Sequence, residues 1–183
     1  MIIGITGTNG AGKGTVVDYL VKNKGFTHYS VRGFLNEEIA RRGLISSRGV
    51  MLQVGNELRS LHGSGFIAEQ LLARAKTEGG NVVIESVRSI GEAEHLRGQG
   101  ALLWAVDAAM PVRYERILKR MSETDRISFE KFVADEEAEI NNPDASKPNL
   151  RGVMQMADAI LSNDGTPEEL YQQVELALTK TGV

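Results

Sequence analysis

Residues Gly7 to Thr15 read Gly-Thr-Asn-Gly-Ala-Gly-Lys-Gly-Thr and follow directly on the apolar run Ile2-Ile3-Gly4-Ile5. The order is strand, glycine-rich loop, helix. Glycines let successive backbone N–H groups turn inward around an anion without Cβ clashes. The helix that follows adds its partial positive charge at its N-terminus, and Lys13 adds a full one. Val16, Val17, Leu20 and Val21 predict the apolar face of that helix. The loop therefore predicts a cradle for nucleotide phosphates, with Thr8, Asn9, Gly10, Ala11, Gly12, Lys13, Gly14 and Thr15 as its contacts. The competing reading is an ordinary strand-to-helix turn.

The length of 183 residues suits one compact domain, 1–183. Apolar residues make up 42% and charged residues 25%, the balance of a globular protein in water. No apolar run approaches the roughly 20 residues needed to cross a bilayer, so no membrane contact is expected. No leader is expected ahead of the strand at Ile2. The absence of cysteine excludes disulfides and thiolate metal sites, and a cytoplasmic location is the simplest expectation. A net charge of −3 argues against a nucleic-acid surface. Arginine nevertheless outnumbers lysine, 13 to 8, and its planar fork suits phosphate. A monomer or small homo-oligomer acting on small molecules is expected.

Short apolar runs alternate with longer helical segments, as in βαβ units. The predicted strands span 2–6, 27–30, 81–85, 101–107 and 158–162. Val82-Val83-Ile84, Leu102 to Val106 and Ala159-Ile160-Leu161 are nearly continuous apolar runs, which predicts strands covered on both faces; Trp104 reads as core. The fold class expected is a three-layer α/β sandwich: a parallel sheet of about five strands with helices on both faces. Ligands of such sheets lie beyond the C-terminal strand ends, where Gly7, Ser30, Glu85 and Asp107 fall. Residues 32–80 hold room for three helices, marked by Phe34, Leu35 and Ile39, by Leu52, Leu58 and Leu61, and by Ile67, Leu71 and Ala75. Such an insertion can fold over a second substrate. Residues 121–149 read as a short closing lid made of a charged hinge, a helix and a polar loop; 142–149 reads equally as a solvated surface loop.

Glu85 ends the third strand, and with Thr15 it is a candidate Mg²⁺ contact; its alternative role is a helix-capping acid. Arg88 is a candidate phosphate grip or a surface cation. Arg113, Arg116 and Arg120 share one helix face, beside the stripe Tyr114, Ile117, Leu118 and Met121. They repel each other unless Glu115, Asp107, solvent or a bound anion intervenes. Arg126 follows in the 121–149 segment. Asn163-Asp164-Gly165-Thr166 is a turn in which Thr166 can cap the last helix ahead of Pro167. Leu170, Val174, Ala177 and Leu178 give that helix its buried face. Arg32 and Arg59 are further candidate phosphate contacts. His28, His62 and His95 lack metal-ligand spacing, and there is no nucleophile elbow for acyl transfer.

These motifs resemble the nucleoside monophosphate kinase-like P-loop kinases, the adenylate kinase-related and dephospho-CoA kinase-like group of the P-loop NTPase fold. Gly14 departs from the common P-loop, which carries Ser or Thr directly after the lysine; the hydroxyl is displaced to Thr15. The resemblance implies ATP and Mg²⁺ as cofactors and transfer of the γ-phosphoryl group to a nucleoside monophosphate. It implies that Arg88 binds the acceptor, Arg116 stacks on the donor base, and Lys13, Arg88, Arg120 and Arg126 serve catalysis; Arg32 and Arg59 are acceptor candidates that read equally as exposed surface cations. Asp164, Gly165 and Thr166 would pack on the donor base. Two departures stand out. Gly33 lies where adenylate kinases carry Asp, and Glu92 lies where their adenine-reading glutamine sits. Two other functions stay open: phosphorylation of a ribose hydroxyl, and an ATP-hydrolysing switch that signals through a protein partner.

Overall fold

The computed structural model describes residues 1–120, 127–144 and 147–180. The strands are β1 (Ile2–Gly7), β2 (Thr27–Ser30), β3 (Val82–Glu85), β4 (Leu102–Asp107) and β5 (Ala159–Ser162). They form one parallel sheet in the order β2-β3-β1-β4-β5. The register sets Ile3 beside Val83 and Ile5 beside Trp104. Because the strands are parallel, all their C-terminal ends share one edge, and the P-loop leaves from the central strand.

Side-chain alternation along the strands builds two cores. Val82 and Ile84 join one, with Leu35 and Ile39 of α2 (Val31–Arg41), Val54 and Leu58 of α3 (Arg48–His62), and Leu71 of α4 (Phe66–Glu78). The same core takes in Leu96 of α5 (Ile90–Gly98) and Val153 of α8 (Leu150–Gln155). Val83, Ile3, Ile5 and the fully buried Trp104 join the other, with Val16 and Leu20 of α1 (Lys13–Lys24) and Val174 of α9 (Pro167–Lys180). Helices thus cover both faces, as expected. The remaining helices are α6 (Met110–Arg120) and α7 (Phe129–Ile140).

The three helices of the insertion form where the sequence predicts them. Ser30 and Ser47 start α2 and α3 by accepting from the amides of Gly33 and Val50. Several residues assigned to buried stripes are instead exposed: Val21, Leu52, Leu61, Leu118 and Ile160. The reasons are local. Val21 and Leu118 each follow a buried neighbour by one residue, a turn of about 100° around the helix. The inward line of α3 runs through Val54 and Leu58, not Leu52 and Leu61. Ile160 belongs to an edge strand with one uncovered face. At that edge the Gln173 side chain accepts from the Ser162 amide at 2.9 Å and donates to the Ser162 carbonyl at 2.7 Å.

Candidate active site

The P-loop is held by contacts that its glycines permit. Gly10 (φ 80) and Gly12 (φ 96) lie in the left-handed region. A Cβ at Gly12 would stand 2.1 Å from the Asn163 amide nitrogen, and one at Gly10 would stand 2.5 Å from the Arg113 carbonyl oxygen. The Asn163 side chain donates to the Ala11 carbonyl at 2.8 Å, Arg113 donates to the Asn9 carbonyl, and the Thr8 hydroxyl donates to Asp107 at 2.7 Å. Backbone strain at such a position costs on the order of 1–3 kcal/mol. Gly12→Ala is therefore expected to lower the melting temperature and to weaken Mg–ADP binding about tenfold or more. Calorimetric titration checks this.

Lys13 is buried, and its ammonium donates to the Gly7 and Thr8 carbonyls at 3.0 and 2.9 Å. Burial first, then the charge of Arg88, lowers its pKa to about 7. Phosphates favour the charged form and raise that pKa on binding. Above pH 7, then, nucleotide binding takes up a proton at Lys13 and affinity falls as pH rises; below pH 7 this contribution is flat. Titrations at pH 8 in buffers of different ionisation enthalpy are expected to show the uptake, and Lys13→Met is expected to abolish it.

Beyond the P-loop lies a cavity of about 540 Å³, within the range of small-molecule sites. Its P-loop side is lined by Asn9, Gly10, Gly12, Lys13, Gly14 and Thr15, and by Arg116 and Arg120 of α6. The same cavity is lined by Arg32, Arg48 and Arg59 of the inserted helices, by Glu85 and Arg88, and by Glu139 of α7. Ser86 adopts φ 71, an uncommon conformation for a residue with a Cβ. The turn it makes lets both Glu85 and Arg88 reach this cavity. Burial works to raise the Glu85 pKa. A bond from His28, 3.2 Å away, and the Lys13 charge outweigh it and hold the carboxyl below its ordinary range.

The other candidates divide. Arg116 reaches the cavity, and its Nη1 is buried with no hydrogen-bond partner among the described residues. Arg59 borders the cavity, but its fork is held by fully buried Glu92, at 2.8 and 3.0 Å. Glu92 itself accepts from the Arg88 and Ser89 amides and completes a capping box with Ser89. It has no face left to read a base. Among Asp164, Gly165 and Thr166, the polar atoms serve caps: Asp164 accepts from the Ala109 amide and the Ser162 hydroxyl, and Thr166 exchanges bonds with Glu169. The neighbouring Asn163 makes a P-loop contact. Arg126 and Met121 lie outside the described residues.

Arg113, and two glutamates that sequence reasoning passed over, Glu136 and Glu139, shape the site. Arg113 does not share the exposed face of Arg116 and Arg120; it is buried and paired with Glu136 of α7 through two bonds, one of 2.9 Å. Glu115 pairs with Lys119 instead. Glu139, one turn beyond Glu136, bonds Arg48 at 2.8 Å and also Arg88. The acidic run Asp135-Glu136-Glu137-Ala138-Glu139 is the sequence signal that could have found these partners.

A central P-loop strand in a five-stranded parallel sheet, with a cavity between the loop and inserted helices, defines an α/β P-loop NTPase fold. A family model described as an AAA domain matches residues 3–142. The UPF0200 protein TK1334 of Thermococcus kodakarensis is 30% identical, over 96% of this chain and 95% of that one. The chain belongs to the UPF0200 family and carries this AAA domain. Among solved structures, TT1252 from Thermus thermophilus superposes with a TM-score of 0.66 at 21% identity, over 100% of this chain and 98% of that one. Shikimate kinase from Acinetobacter baumannii, in complex with shikimate, gives 0.62 at 14% identity, over 100% and 94%. These likenesses show the same α/β P-loop fold.

Proposed function

We propose that the protein is an ATP-dependent phosphotransferase that moves the γ-phosphoryl group of Mg-ATP to a nucleoside monophosphate. The observation that carries this reading is one cavity lined by two sets of cations: Lys13, Arg116 and Arg120 from the P-loop and α6, and Arg32, Arg48 and Arg88 from the inserted helices and the β3–α5 connection. A nucleotide hydrolase needs only the first set. A second set, built from an inserted helical unit, suits a second anionic substrate.

Phosphoryl transfer passes through a loose transition state, so the protein's work is positioning and charge neutralisation. Lys13 and the loop amides follow the moving group, Arg88 holds the acceptor, and Arg116 and Arg120 offset developing charge. Thr15 and Glu85 supply hard oxygen ligands beside the phosphates and fit Mg²⁺, which keeps most of its waters and takes one or two protein oxygens. Held there, the ion would supply Lewis-acid chemistry, withdrawing charge from the transferring group. Among the described residues no cluster of three metal-ligating side chains competes with that role. Among them, too, no helix is long and apolar enough to cross a membrane.

Glu85 favours a second reading. A carboxylate kept ionised at the strand end, with His28 behind it, is a ready base for a hydroxyl acceptor such as a ribose. Phosphoryl transfer from γ-labelled Mg-ATP separates the two. The panel would hold AMP, CMP, UMP, GMP, the deoxy forms, dephospho-CoA and shikimate, with Lys13→Met as control. Label on a monophosphate, lost in the control, supports the first reading; label on dephospho-CoA or shikimate supports the second. Label only in free phosphate would overturn both and point to a switch acting through a partner.

A further inference from the structure

Arg88 leaves the β3–α5 connection, whereas Arg48 begins α3, 40 residues earlier in the chain. The two converge on one carboxylate. Arg48 Nη2 donates to Glu139 Oε1 at 2.8 Å, and Arg88 Nη1 donates to Glu139 Oε2. Each carboxylate oxygen is thus taken by a different arginine, the arrangement in which a ligand's phosphate or carboxylate would be gripped. Glu139 is nearly buried, and all three side chains line the cavity that Lys13 enters. The contact is therefore no surface ion pair of negligible weight. Removing charge from such a group leaves the facing cations unbalanced in a poorly solvated place.

We propose that Arg48 and Arg88 form the anion subsite of the second substrate, and that Glu139 occupies it as a surrogate anion until that substrate displaces it. The proposal rests on the reading of Arg88 as an acceptor contact and deepens it. The acceptor must carry a phosphate or carboxylate, because a neutral molecule has nothing to exchange for Glu139. The displacement also has a mechanical side. Glu136, three residues earlier, is tied to Arg113 and through it to the Asn9 carbonyl of the P-loop. Releasing Glu139 frees the C-terminal end of α7 while Glu136 stays anchored to Arg113. Arg48 also lies 3.8 Å from Asp135, which keeps its guanidinium in place when Glu139 departs.

The test is calorimetric titration of inorganic phosphate, and separately of acetate, into the full chain saturated with a non-hydrolysable Mg–ATP analogue. The analogue fills the P-loop, so the anion reports on the second subsite. Glu139→Gln is expected to bind one of the two anions at least tenfold tighter than the wild type, and the anion that gains identifies the acceptor group as phosphate or carboxylate. Adding Arg48→Gln to it is expected to erase the gain. Glu139→Asp keeps the charge but cannot span both arginines, and should bind at least threefold tighter even if the glutamine variant folds poorly. The proposal is overturned if the variants bind neither anion more tightly, or if the gain survives the loss of Arg48. None of these readouts involves phosphoryl transfer, so a failure of the kinase assay and a failure of this subsite are distinguishable.

Discussion

Lys13→Met is expected to reduce phosphoryl transfer from Mg-ATP by about 10³-fold while the protein remains folded. A preorganised charge aimed at the moving group is worth roughly 10²–10³ in rate for a single donor, and more where phosphoryl oxygens carry the charge. Lys13 is such a group: it is buried at the base of the cavity and already oriented by the Gly7 and Thr8 carbonyls. Methionine keeps the aliphatic stem and its packing but removes the charge and both bonds. The measurement is kcat with the acceptor found by the labelling panel, alongside the melting temperature. A loss below tenfold would mean that the group following the phosphoryl lies elsewhere, with Arg116 and Arg120 as the next to test.

Arg59→Met should destabilise the protein by about 3–5 kcal/mol, the cost of leaving a buried partner charged and alone. Glu92 is fully buried and Arg59 nearly so. Combining Arg59→Met with Glu92→Gln should recover most of the loss, because the amide carries no charge and its oxygen can still accept from the Arg88 and Ser89 amides. Urea unfolding of the two single variants and the double variant closes the cycle. The acceptor KM of folded Arg59→Met should stay within threefold of wild type, since the guanidinium already serves Glu92. A KM raised tenfold with stability intact would return Arg59 to the acceptor.

The contrast between these two residues marks what the sequence makes legible. The demands of a phosphate cradle are local. A strand, glycines able to adopt positive φ, a lysine and a helix start all fall within fifteen residues, so the loop and its place on the central strand can be read directly. The central strands β1, β3 and β4 are legible for a similar reason, since burial on both faces leaves near-continuous apolar runs. Ion pairing obeys no such local rule. Arg59 meets Glu92 across 33 residues and Arg48 meets Glu139 across 91, distances closed only by packing helices from separate parts of the chain. Position relative to a family motif misleads for the same reason: Glu92 occupies the place of a base-reading residue, yet capping and burial have claimed every oxygen. In the turn that starts at Asn163, the side chain that holds the P-loop and those that cap helices look alike in sequence.

The edge of the sheet carries a consequence for how copies of the protein meet. A parallel sheet ends in a strand whose outward backbone groups invite another strand to add, the first step toward uncontrolled polymer growth. On β5 the Gln173 amide fills that role itself, accepting and donating at Ser162 as a neighbouring strand would. The fold thus ends its own sheet with a side chain from α9. Gln173→Ala would reopen that rung beside the exposed Ile160, and crowded solutions of such a variant should scatter more light than the wild type at equal concentration.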